Sequence, residues 1–165
     1  MAALTAGTKA PDISLGAVDG KTFSLQEALK KGPVLAAFFK VSCPVCQYTF
    51  PYLERLHKAQ GSNKITIVGI SQDDKRNTSV FLKDYGVTFP TLLDDPNGYP
   101  VSNAYGLTNV PTWFLIAQDG EIEMSSVGWA KKEVEDLNIR LAELQQNSPH
   151  PLFQPGEDVR DFRAG

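Results

Sequence analysis

Three short, uninterrupted apolar runs constrain this chain more than any other feature: "PVLAAFF" from Pro33, "ITIVGI" from Ile65 and "TWFLI" from Thr112. A strand with one face in water would alternate polar and apolar residues. Continuous runs of this length suit strands covered on both faces, in a sheet held between layers of helices. Between the first two runs, "CPVCQYTFPYLERLHKAQG" reads as a helix. Pro44 falls in its first turn, where a missing N–H is harmless, and Gly61 marks its end. Pro51 lies inside and is expected to kink it.

A second helix is expected from about Lys75 to Tyr85, stopping at Gly86, followed by "TLLDD" and a short helical stretch near Tyr99 to Tyr105. After the third run, Asp119-Gly120 turns a hairpin into "EIEMSSVG", which makes the last strand antiparallel. The final helix, Lys131 to Gln146, sets Val134, Leu137, Leu141 and Leu144 on one face. Near the start, "ISLGAVDGKTFSL" reads as another hairpin, turning at Asp19-Gly20. The fold class is α/β: a central mixed sheet flanked by helices, with an N-terminal β-hairpin and an α/β insert.

With 165 residues the chain is expected to hold one domain over residues 1–146, followed by a proline-containing tail over 147–165. In "NSPHPLFQPGEDVRDFRAG", Pro149, Pro151, Pro155 and Gly156 stop any helix, and the composition reads as disordered. Leu152, Phe153 and Phe162 are its candidates for docking, on the body or on a neighbouring subunit. The net charge of -3, with no run of like charge, offers no basic face for nucleic acid. No apolar run approaches the ~18 residues of a membrane span. "MAALTAGTKAPDISL" lacks the cationic and apolar segments of a secretory signal, so a cytoplasmic location is expected; a removed leader would place the chain outside.

The only two cysteines, Cys43 and Cys46, sit in one Cys-Pro-Val-Cys stretch at the junction of the first apolar run and the helix. A structural disulfide there would close a tiny loop and restrict the unfolded chain little, and such staples are rare in a reducing compartment. A metal site would need more ligands, and His57 and His150 do not stand at ligand spacing, so neither metal nor cofactor is expected. A redox pair fits better. Cys43 would cap the helix, where unpaired N–H groups and the helix dipole favour a thiolate. Cys46, one turn on and more buried, could resolve a mixed disulfide.

On "GTKAPDISL", "VLAAFFKVSCPVCQYTFPYLERL" and "NVPTWFLIAQDGEI", nearly the whole chain resembles the thioredoxin fold, in its TlpA/ResA-like and redoxin (AhpC/TSA) branch. The resemblance implies a thiol–disulfide oxidoreductase with Cys43 and Cys46 as catalytic residues. It also implies substrate binding at Pro44, Val110 and Pro111, with Pro111 as the cis-proline. Its partners would be substrate proteins or small thiols and an electron donor or acceptor. The chain departs from the pattern in three places: Ser42 stands where thioredoxins carry tryptophan, Ala37 at their buried aspartate, and Thr49 at the glutamate of ResA-like reductases. Lys40, Gln72 and Asp73 are the remaining polar candidates for reaching the pocket.

Two other readings fit the sequence less well. A peroxiredoxin needs P-x-x-x-T-x-x-C; aligning Cys46 puts Phe39 and Cys43 at the proline and threonine, and aligning Cys43 puts Ala36 and Lys40 there. A binding module without turnover would have no use for both cysteines and the "VPT" segment.

Overall fold

A computed structural model of the chain describes residues 3–60 and 64–165. Its core is a five-stranded sheet ordered β5-β4-β3-β6-β7. The apolar runs supply β3 (Val34–Phe39), β4 (Thr66–Ser71) and β6 (Thr112–Ile116); β5 (Thr91–Leu93) and β7 (Ile122–Val127) complete it. β3, β4 and β5 run parallel, while β6 is antiparallel to both β3 and β7. Every residue of β3 and β6 is buried, as runs covered on both faces require, and the one polar member, Thr112, donates its hydroxyl to the Asn109 carbonyl.

Because successive side chains point to opposite faces, β3 feeds two cores. Leu35, Ala37 and Phe39 pack with α2 (Pro44–Ala59), α3 (Lys75–Asp84) and α5 (Lys131–Leu144). Val34, Ala36 and Phe38 pack on the other face with Leu25 of α1 (Leu25–Lys31), Val101 of α4 (Pro100–Ala104) and Tyr105. The N-terminal hairpin, β1 (Ser14–Gly16) with β2 (Thr22–Ser24), is antiparallel and closes through Gly20 at φ +89°. Asp119 and Gly120 turn the β6–β7 hairpin as expected, with Gly120 at φ +93°.

α2 continues through Pro51 without a break in its assigned span. The expected stop at Gly61 lies outside the described residues. α5 ends two residues earlier than expected, capped by Gln145 before Gln146 turns left-handed at φ +58°. α1 was not expected. Ser24 caps it, its hydroxyl accepting from the Glu27 N–H at 3.4 Å.

The tail is ordered against the body, contrary to its composition. Leu152 is buried, and Phe153 packs on Trp129 and Tyr52. Arg55 of α2 makes a two-point ion pair with Glu157 at 2.8 and 2.7 Å and donates to the Leu152 carbonyl. This pairing, with help from the Gln154 N–H, holds the Glu157 carboxyl down at about 2. Beyond it, β9 (Phe162–Arg163) pairs antiparallel with β8 (Trp129–Ala130). Of the three docking candidates, Phe162 is held by the backbone pairing of β9 with β8, and the residue is 63% exposed. Among the described residues, no helix is long and apolar enough to cross a membrane.

Candidate active site

The C-terminal end of β3 delivers the chain to the N-terminus of α2, where both cysteines stand as free thiols. Cys43 is the N-cap, with extended backbone at φ -83° and ψ 114°. Its Sγ accepts from the Cys46 N–H at 3.1 Å, so the thiol stands where a capping oxygen would. Pro44 at the first helical position is exposed beside it.

Cys46 lies one turn into the helix and is fully buried. Desolvation first, then the side-chain contact with Cys43, pushes its thiol far above the ordinary value of 9.0. The two sulfurs therefore occupy different environments: one at the rim, the other in the core.

The loop ahead of Cys43 is held from two directions. Asp73 accepts the Val41 N–H at 2.8 Å, and Gln47 donates to the Val41 carbonyl at 2.9 Å. Of the polar candidates named from the sequence, Asp73 therefore reaches the loop. Gln72 turns instead to the Ser102 hydroxyl at 2.9 Å, and Lys40 is exposed. Asp73 is itself fixed by the Ser71 hydroxyl, which accepts its N–H at 3.0 Å. Nothing in the local sequence of Gln47 marks it for this role.

Opposite the thiols, the Val110–Pro111 bond is cis, as expected. The Cys43 thiol donates to the Val110 carbonyl at 3.4 Å. Cys43, Cys46, Pro44, Val110 and Pro111 thus meet at one end of the sheet, although 67 residues separate Cys43 from Val110. His57 and His150 do not join them: His57 stacks edge-on against Phe89, and the His150 carbonyl accepts from Asn138.

Behind the pair, on the α2 side, no carboxylate takes the position of either family acid. Ala37 faces Trp113 across β3 and β6, and Trp113 faces Ser126 across β6 and β7. Thr49 follows Cys46 by three residues on the same face of α2. The Thr49 hydroxyl, the Trp113 indole N–H and the Ser126 hydroxyl are buried without a hydrogen-bond partner among the described residues.

Comparison with known proteins identifies the family and the fold. The family model described as Redoxin matches residues 5–141. The thiol-disulfide oxidoreductase ResA of Geobacillus thermodenitrificans is 30% identical over 132 residues, covering 79% of this chain and 74% of its own. The thioredoxin-like protein YneN of Bacillus subtilis is 31% identical, covering 78% and 76%. Among solved structures, a thiol:disulfide interchange protein of the thioredoxin family from Chlorobium tepidum superposes with a TM-score of 0.68 at 28% identity, covering 86% of this chain and 99% of its own. With a thioredoxin-like sheet, a helix capped by the first of two cysteines and relatives of this kind, the chain belongs to the redoxin family, among its ResA-like thiol-disulfide oxidoreductases.

Proposed function

We propose that Cys43 and Cys46 are the redox pair, with Cys43 attacking and Cys46 resolving. The observation that carries this reading is the contrast between the sulfurs. Cys43 stands at the rim with a backbone N–H directed at its sulfur, whereas Cys46 is enclosed and held as a thiol.

In the reductive direction, the Cys43 thiolate attacks one sulfur of a substrate disulfide. A Cys43–substrate disulfide forms, and the other substrate sulfur leaves as a thiolate that takes up a proton. Cys46 then gives up its proton and attacks the Cys43 sulfur, expelling the second substrate thiolate. Two electrons have passed to the substrate, now two thiols, and Cys43–Cys46 has become a disulfide. A dithiol donor would regenerate the pair; run in reverse, the same steps oxidise a substrate dithiol. Pro44, Val110 and Pro111 line the approach, and the Val110 backbone pairs with an extended substrate segment. The partners are proteins or small molecules bearing thiols or disulfides.

A peroxidase working through Cys46 finds no support in the geometry. That sulfur is fully buried, and its surroundings oppose the thiolate that peroxide needs. The deciding experiment compares single variants against a model disulfide and hydrogen peroxide. Cys43→Ser should abolish disulfide exchange, and Cys46→Ser should accumulate a mixed disulfide on Cys43. Rapid, saturable peroxide consumption that survives Cys43→Ser but disappears in Cys46→Ser would overturn the assignment in favour of a peroxidase.

A further inference from the structure

The tail does more than cover α2. Past the Arg55–Glu157 pair its backbone is tied at successive points toward the thiols. The Arg160 N–H donates to the Tyr48 hydroxyl at 3.0 Å, and the Trp129 indole donates to the Arg160 carbonyl at 2.6 Å. The Lys131 N–H donates to the Asp161 carbonyl at 2.9 Å, and β9 pairs with β8. The Arg163 guanidinium sits over the Tyr48 ring, 5.2 Å from its centroid.

The last residues then reach the cis-proline loop itself. Asn109 donates its side-chain amide to the Gly165 carbonyl at 3.0 Å. A Cβ built on Gly165 would fall 2.7 Å from the Val110 carbonyl oxygen, the atom that accepts the Cys43 thiol. On the body side, a Cβ on Gly128 would fall 2.6 Å from the Arg163 carbonyl oxygen and 2.9 Å from the Gly165 nitrogen. Gly128 is also bonded through its N–H to the Pro111 carbonyl. Two glycines therefore meet backbone to backbone beside the active cysteine, at a separation that leaves no room for a side chain on either.

We propose that Phe162–Gly165 is an intramolecular occupant of the substrate groove, lying where a substrate's extended segment must bind. The inference rests on the redox assignment of Cys43 and on the Val110 groove described above. It also specifies the substrate class. The groove takes an extended peptide that has a residue without a side chain against the Val110 carbonyl and, two residues earlier, a cationic side chain over Tyr48. Such a peptide competes with the tail. A small disulfide that needs no backbone pairing reaches Cys43 with the tail in place. A groove closed nine-tenths of the time lowers apparent peptide affinity about tenfold, equivalent to ~1.4 kcal/mol, the scale of one or two net hydrogen bonds.

The test uses three proteins: the full chain, Gly165→Val in the full chain, and a chain lacking Phe162–Gly165. Each is reacted with a peptide disulfide carrying Arg and Gly at the matching spacing, and with bis-hydroxyethyl disulfide. Both altered proteins should react with the peptide disulfide about tenfold faster and with the small disulfide at an unchanged rate. The tetrapeptide Phe-Arg-Ala-Gly added to the shortened chain should slow the peptide reaction again. Equal peptide rates in all three proteins would overturn the proposal, and so would equal acceleration toward both disulfides. Cys43→Ser in each background keeps the two inferences apart. Exchange that survives it defeats the redox assignment, whereas Cys43-dependent exchange indifferent to the tail defeats only the occupant.

Discussion

Burial of Cys46 has a kinetic consequence that can be worked out in advance. A thiol at its ordinary value of 9.0 is ionised to about 1% at pH 7, and its thiolate rises about tenfold per pH unit below that value. The surroundings push Cys46 far higher, mainly by desolvation and secondarily through Cys43. Formation of the mixed disulfide removes the Cys43 thiol but leaves the burial in place. The resolving step should therefore climb about tenfold per pH unit, or about a thousandfold from pH 6 to pH 9, with no plateau in that window. Stopped-flow reaction with an aromatic disulfide whose released thiolate absorbs visible light separates the steps. The first release reports attack by Cys43, and the second reports resolution by Cys46. A second phase that levels off at or below pH 8 would show that Cys46 ionises easily and would refute the argument from burial.

The same raised thiol affects stability: because the folded state holds its proton, stability is fully present below pH 9 and falls as pH rises, by ~1.4 kcal/mol per unit. Chemical denaturation at pH 9 and pH 10 should show that loss in the reduced protein and not in Cys46→Ala; parallel behaviour would refute it. The partnerless Thr49 hydroxyl predicts that Thr49→Val stabilises the fold by about 1 kcal/mol, raising Tm by roughly 2–4 °C. A lowered Tm would mean the hydroxyl is satisfied. The tail contributes the opposite pH sign. With Glu157 held near 2 against an ordinary 4.5, its tie to Arg55 is fully present above pH 4.5 and lost as pH falls toward 2. Hydrogen exchange across Leu152–Glu157 should remain protected at pH 5 and be lost near pH 2; release already at pH 5 would contradict it.

Much of this architecture was legible because its determinants are local. β3 is apolar at every position and β6 at every position after Thr112, so their place as strands covered on both faces followed from the local sequence. The Cys43 cap and Pro44 were legible because strand, cap and first turn are contiguous. α1 carries a readable signal: Ser24 and Glu27 stand at capping-box spacing, with Leu25 and Leu29 one turn apart. The tail could not be read this way. Its prolines and charges describe what it cannot form, while its order comes from Arg55, Tyr48 and Trp129, partners 31 to 112 residues away. Asp73 is an intermediate case: it was named as a polar candidate, but its hold on Val41 needed the neighbouring ends of β3 and β4 to be brought side by side.

The N-terminal segment does something for the sheet that its short strands do not suggest. At one margin, Gly7 donates to the Ile122 carbonyl and the Ile122 N–H donates back to Thr8, with Lys9 bridging Glu121. At the other, Val18 donates to the Thr91 carbonyl beside an Ala17–Leu92 bridge. Unpaired backbone at a sheet margin is a template for stray strands and for aggregation. One stretch of about a dozen residues crosses the whole molecule and blunts both margins, at β7 and at β5. With both margins covered, an extended chain bound beside Val110 as proposed has no competing margin at β5 or β7 to add to, away from the thiols.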